Sequence, residues 1–186
     1  MASKFKIQPF GLKRSGTNFI EKIILDHFDK NYNHSTRPQN VTGSRGFGGE
    51  ESVKHTLPTF DYSDFIIVVY KPYTAWYNSM IAYGWRHAPS LKKEYWNLFH
   101  KKAIEIYNDK SIIVDWYTAA SNYDSFVNHI STKFKMPLEK IHPMSTNKMG
   151  RGHGDLVSDT KFDLRPYAKS VVEELPAKLK ELSWTL

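Results

Sequence analysis

The chain has 186 residues, a formal net charge of +7 from 26 Lys and Arg against 19 Asp and Glu, 40% hydrophobic residues and no cysteine. That size fits a single domain spanning residues 1–186, large enough to hold a core without covalent staples, and the missing thiols exclude disulfides, thiolate metal sites and a cysteine nucleophile. No apolar run approaches the about 20 residues of a membrane span, and the opening MASKFKIQPFG lacks the apolar centre of a secretory leader, so a cytoplasmic protein with no membrane partner is expected.

In chain order, residues 5–10 (FKIQPF) read as a short strand. The next eight residues, GLKRSGTN, form a turn that leads into residues 17–28. There Phe19, Ile20, Ile23, Ile24 and Phe28 share one helical face, with Ser15 or Thr17 placed to cap it. Residues 30–50 are polar and end in a glycine-rich loop over 43–49. The continuous apolar run DFIIVVY over 64–70 is the pattern of a strand buried in a parallel sheet. Residues 74–83 and 90–107 read as helices, 111–115 (SIIVD) as a second buried strand, and 122–134 as a helix with Phe126, Val127, Ile130 and Phe134 in phase. Residues 147–155 (NKMGRGHGD) form a basic, glycine-rich loop, and 166–182 read as a final helix interrupted at Pro176. Strands alternating with helices predict an α/β fold, a three-layer α/β/α sandwich around a mostly parallel sheet. Ligands of such sheets sit at the carboxyl ends of the strands.

The loop GLKRSGTN lies where a phosphate-binding loop would. Gly11 and Gly16 have the spacing of G-x-x-x-x-G-K-[ST], but Thr17 stands at the lysine position and the basic pair Lys13 and Arg14 lies inside the loop. Amides of Ser15, Gly16, Thr17 and Asn18 at a helix start can cup an anion, and the planar Arg14 guanidinium can contact two of its oxygens. The missing lysine, and a strand that runs into Tyr70-Lys71 rather than an aspartate, disfavour a metal-dependent triphosphate kinase. Lys71 at the strand exit and Ser79 eight residues on can converge on a second phosphate. The positive balance points to anionic partners, and because Lys and Arg are scattered rather than gathered in a tail, nucleic acid is not the favoured one.

These motifs, in this order, resemble those of the PAPS-dependent sulfotransferases, which transfer a sulfuryl group from 3′-phosphoadenosine 5′-phosphosulfate. Lys13-Arg14-Ser15-Gly16-Thr17-Asn18-Phe19 is similar to the family's 5′-phosphosulfate loop. Lys71 and Ser79 stand at the spacing of its 3′-phosphate motif, with lysine for arginine and the proline shifted to Pro72. Lys54-His55-Thr56-Leu57-Pro58 resembles its K-T-H-L-P segment, with the histidine one place early, and Lys148, Gly150 and Arg151 lie in a loose version of its late basic loop. The resemblance implies P-loop NTPase-like topology and metal-free transfer to a hydroxyl or amine of a small-molecule or glycan acceptor. In it His55 is the base, with Glu50 and Glu51 as rivals, Arg14 stabilises the leaving phosphate, and Lys13 or Lys54 assists at the bridging oxygen. It further implies nucleotide contacts from Lys13, Lys71, Ser79 and the 148–151 loop, and adenine stacking on Trp116 or Tyr117. The glycine loop over 43–49, with Trp85, Arg86 and His87, would meet the acceptor. A P-loop nucleotide or small-molecule kinase and a non-catalytic anion-binding module are the alternative readings.

Overall fold

In a computed structural model of the protein, residues 5–29, 55, 57–61, 63–82, 93–144 and 177–186 are described. The strand β2 (Phe65–Tyr70) lies between two parallel neighbours, β1 (Ile7–Phe10) and β3 (Ser111–Asp115). Ile7 stands opposite Phe65 and Phe10 opposite Val68; on the other side Ile66 stands opposite Ser111 and Tyr70 opposite Asp115. Pro9 falls in β1, which pairs on one side only among the described residues, the position where a residue without an N–H is tolerated.

Parallel neighbours need a crossover connection, and helices supply it. Between β1 and β2 lies α1 (Thr17–His27); between β2 and β3 lie α2 (Tyr73–Ala82) and α3 (Lys93–Glu105). The period of two along β2 sends Ile67 and Val69 to one face, where Ile7, Ile112 and Val114 join Phe19, Ile20, Ile23 and Ile24 of α1. Phe126, Val127, Ile130 and Phe134 of α5 (Tyr123–Phe134) close that side. Ile66, Val68 and Tyr70 point to the other face, against Trp76 and Met80 of α2 and Trp96, Phe99 and Ala103 of α3. Each such side chain, fully buried, contributes about 1.5–3 kcal/mol. The described residues thus form a mixed α/β fold: an open, parallel three-stranded sheet with helices on both faces.

Two features differ from the sequence expectation, and a third falls partly outside the described residues. Residues 116–121, for which no element was expected, form α4 (Trp116–Ser121). Asp115 ends β3 and also caps this helix, its Oδ2 accepting from Thr118 N at 3.0 Å and Thr118 Oγ1 at 3.1 Å; a residue that closes a strand and opens a helix leaves no linker for a sequence pattern to register. Neither Ser15 nor Thr17 caps α1. The N-cap is Gly16, with no side-chain cap, while Ser15 Oγ turns back to donate to Leu12 O at 2.6 Å. Of the expected C-terminal helix, α6 (Ala177–Leu182) is described, and its earlier part lies outside the described residues. Beyond α6, Ser183 bridges Ile113 and Trp184 N donates to Ile113 O at 2.8 Å, covering part of the outer edge of β3. Trp184 also packs on Phe126, with ring centroids 5.0 Å apart.

His100 of α3 is buried among Trp96, Phe99 and Tyr70, its ring 4.0 Å from that of Trp96. Nδ1 donates to Trp96 O at 2.6 Å and Nε2 has no partner. Burial lowers the imidazole to about 4 from its usual 6.5, the Trp96 carbonyl opposing. The folded state therefore binds this proton less readily than the unfolded chain. Stability is full above pH 6.5 and is lost as the pH falls towards 4, by about 3 kcal/mol in total. Urea unfolding followed between pH 7.5 and 4 should show this loss. His100→Leu should remove most of the slope, at a cost near neutral pH of about 1 kcal/mol for the lost hydrogen bond.

Candidate functional site

The carboxyl ends of β1, β2 and β3 come together at one edge of the sheet, and the loop over residues 11–16 closes on them. Ser15 N and Oγ both donate to Leu12 O, at 3.0 and 2.6 Å, which tightens the turn. Arg14 has a left-handed φ of 68°, a conformation costly for a side chain of its size and frequent where function requires it. Gly11 is pressed onto β2: a Cβ there would stand 2.7 Å from Val69 O and 2.4 Å from Ser15 Oγ. α2 braces the loop from the other side, Trp76 Nε1 donating to Lys13 O at 2.8 Å.

At the start of α1, Gly16 O accepts from Phe19 N and Ile20 N. The N–H groups of Gly16 and Thr17 meet no acceptor among the described residues. They lie at the positive end of the helix dipole, an arrangement that favours an anion. Ser15, also expected to offer its amide, has it engaged within the loop. Asn18 is half-buried in the first turn of α1.

Lys71 follows β2 directly, its carbonyl accepting from Trp96 Nε1 at 3.0 Å. Its Nζ sits 4.7 Å from the centroid of Trp116 and makes no hydrogen bond among the described residues. Burial, and then the neighbouring Arg14 charge, push Lys71 down to about 8 from 10.5, with Asp115 pulling the other way. The Asp115 carboxyl is raised by burial, against the hydrogen bonds it accepts from Thr118 and Tyr117; it serves as the cap of α4. Two cations thus stand together, while Asp115, the carboxylate that acts on Lys71, is engaged with a helix terminus.

His55 Nδ1 lies 2.8 Å from Gly11 O. A carbonyl oxygen only accepts, so Nδ1 carries the proton, and in the neutral ring Nε2 is the basic nitrogen. This bond ties the histidine to the loop that carries Arg14.

The structure therefore gathers Arg14, Gly16, Thr17, Lys71 and Trp116 at the strand ends, with His55 hydrogen-bonded to the same loop. Ser79 stands two turns into α2, half-buried, and makes no side-chain hydrogen bond to any of them. Tyr117 contributes its amide to Asp115. Lys54, Glu50, Glu51, Lys148, Gly150 and Arg151, and the acceptor candidates over 43–49 and at Trp85, Arg86 and His87, lie outside the described residues. Trp76 and Trp96, whose indole N–H groups hold the backbone of the two basic residues Lys13 and Lys71, were not anticipated. Their helical phase marks them as core, and a donor at the rim of a buried ring leaves no mark in a hydropathy pattern. Among the described residues no group of three His, Asp or Glu could hold a metal ion, and no helix is long and apolar enough to cross a membrane.

Gly16 has φ 107°, and a Cβ there would lie 2.2 Å from Trp116 Cδ1. Gly16→Ala should lower stability by about 1–3 kcal/mol for the backbone conformation, and by more for displacing the indole. Thermal unfolding measures the loss, and a change in the Trp fluorescence of the folded variant reports the moved ring.

Comparison of the chain with family models, with curated proteins and with solved structures finds no match.

Proposed function

We propose that the protein is a PAPS-dependent sulfotransferase of P-loop NTPase-like topology. It would act in the cytoplasm on a hydroxyl or amine of a small-molecule or glycan acceptor, without a metal. The observation that carries the reading is the surplus of donors at the strand ends. Arg14 and Lys71 stand together beside the N–H groups of Gly16 and Thr17, which meet no acceptor among the described residues, and Asp115, the carboxylate that acts on Lys71, is held as the cap of α4. A site of that composition favours an anion with several oxygens.

In the proposed reaction the acceptor oxygen or nitrogen attacks sulfur, and the bond between sulfur and the bridging phosphate oxygen breaks. The electron pair leaves on the 5′-phosphate of 3′,5′-ADP. Arg14 and the Gly16 and Thr17 amides stabilise the charge that grows on that phosphate, with Lys13 and Lys54 assisting. His55 Nε2 takes the proton of the acceptor, since Nδ1 is committed to Gly11 O. Lys71 contacts the nucleotide phosphates, and Ser79 and the 148–151 loop complete the 3′-phosphate contacts. Thr17 in place of the P-loop lysine supports this reading over a kinase, which needs that lysine on its triphosphate.

Titration calorimetry with 3′,5′-ADP should give saturable binding, and Arg14→Ala should weaken it about 10- to 150-fold, the range for charge-assisted hydrogen bonds. Because the ligand favours the charged form of Lys71, which titrates near 8, affinity should be highest below pH 8 and fall as the pH rises above it. Lys71→Met should flatten that profile. No binding by the wild-type chain at any pH would overturn the reading.

With radiolabelled PAPS and a panel of hydroxyl and amine acceptors, His55→Ala should lower the transfer rate by about 10²–10⁴-fold, the usual contribution of a general base, while 3′,5′-ADP still binds. An unchanged rate would move the base to Glu50 or Glu51.

A further inference from the structure

Trp116 carries a donor that the reaction above does not use. Its Nε1 is buried and has no hydrogen-bond partner. The other buried side-chain atoms without partners among the described residues are Ser63 Oγ and His100 Nε2. His100 is enclosed by the rings of Tyr70, Trp96 and Phe99, whereas Trp116 stands against Gly16 and Lys71. Buried indole N–H groups are normally paired, so an orphan at this place needs a reason.

The orientation of the ring supplies one. Lys71 Nζ lies over the indole at 4.7 Å, and the ring also packs on the core formed by α1, α5 and the sheet. It is the pyrrole edge that meets the start of α1: a Cβ on Gly16 would lie 2.2 Å from Cδ1 and 3.1 Å from Nε1. The indole N–H therefore belongs to the same small region as the unpaired amides of Gly16 and Thr17. One side chain holds Lys71 on its face and offers a donor from its edge.

We infer that Trp116 binds the anion itself, its indole N–H donating to a phosphate or sulfate oxygen held by the Gly16 and Thr17 amides while its ring positions Lys71. This rests on the reading of the site as a cradle for PAPS, and it gives the ring a different task from the adenine stacking expected from the sequence. With Lys71 over the ring and the core against it, Trp116 serves the charged end of the nucleotide rather than the base. The cradle then consists of two backbone amides, one neutral side-chain donor and two cations.

Two ligands separate the roles: 3′,5′-ADP, which has both phosphates and adenine, and inorganic pyrophosphate, which has no base. Trp116→Phe keeps an aromatic face for Lys71 and removes the N–H. Calorimetry should show both ligands weakened about tenfold or more. Should the phenylalanine variant fail to fold, benzothienylalanine at position 116 keeps the indole shape with sulfur in place of N–H, and the same loss is expected. Weakened binding of 3′,5′-ADP alone, with pyrophosphate unchanged, would mean adenine stacking and overturn the inference. Unchanged affinity for both would overturn it while leaving the nucleotide site intact. Failure of the wild-type chain to bind either ligand would overturn the sulfotransferase reading and this inference with it.

Discussion

A parallel strand with apolar side chains on both faces cannot face water on either, and β2 is such a strand. Ile66, Ile67, Val68 and Val69 are all fully buried, so both sides of the sheet must be covered. The crossover helices that parallel pairing requires are also the covering layers. Because every strand runs the same way, every strand also ends at the same edge. Lys71 and Trp116 directly follow strand ends, and Arg14 sits a short turn beyond another. The site is thus a product of how β2 is buried: residues far apart in sequence meet because three strands finish side by side.

The same geometry gives the site its electrostatic character. Strand ends and the start of α1 bring backbone donors, and the sequence adds Arg14 and Lys71 to them. The carboxylate that acts on Lys71, Asp115, is held by Thr118 and Tyr117 as a helix cap. Burial, and after it repulsion from Arg14, leave Lys71 well below its usual value, which is unfavourable for the isolated fold. A site that holds cations at such a cost is relieved by an anion, and that relief becomes binding affinity.

Much of the fold was legible in the sequence because its elements are periodic and long. The β-branched run at 64–70 and the helical phase of Phe126, Val127, Ile130 and Phe134 led to elements found within a residue or two of the expected ends. α4 was not legible, since Asp115 belongs to the strand and the helix at once. At the site, loop position alone pointed to Arg14 and Lys71, because a residue just beyond a parallel strand has a predictable place. Ser79 shows the limit of that logic: spacing along a helix sets a face, but not how far the helix carries a residue from the strand end. The bonds from Trp76 and Trp96 depend on the reach of a ring across the tertiary structure, information that no local pattern contains.

The contact between Gly16 and Trp116 joins positions one hundred residues apart, and it constrains both. The indole fills the space that a side chain at position 16 would need, so neither position is free to change alone. The left-handed backbone at 16 disfavours a side chain there whatever its neighbour, and the indole adds a steric bar to it, so a chain that loses the indole loses one of two reasons for its glycine. Across homologous sequences the two positions should therefore covary, and their joint drift would mark the branches in which this corner has been rebuilt for another ligand.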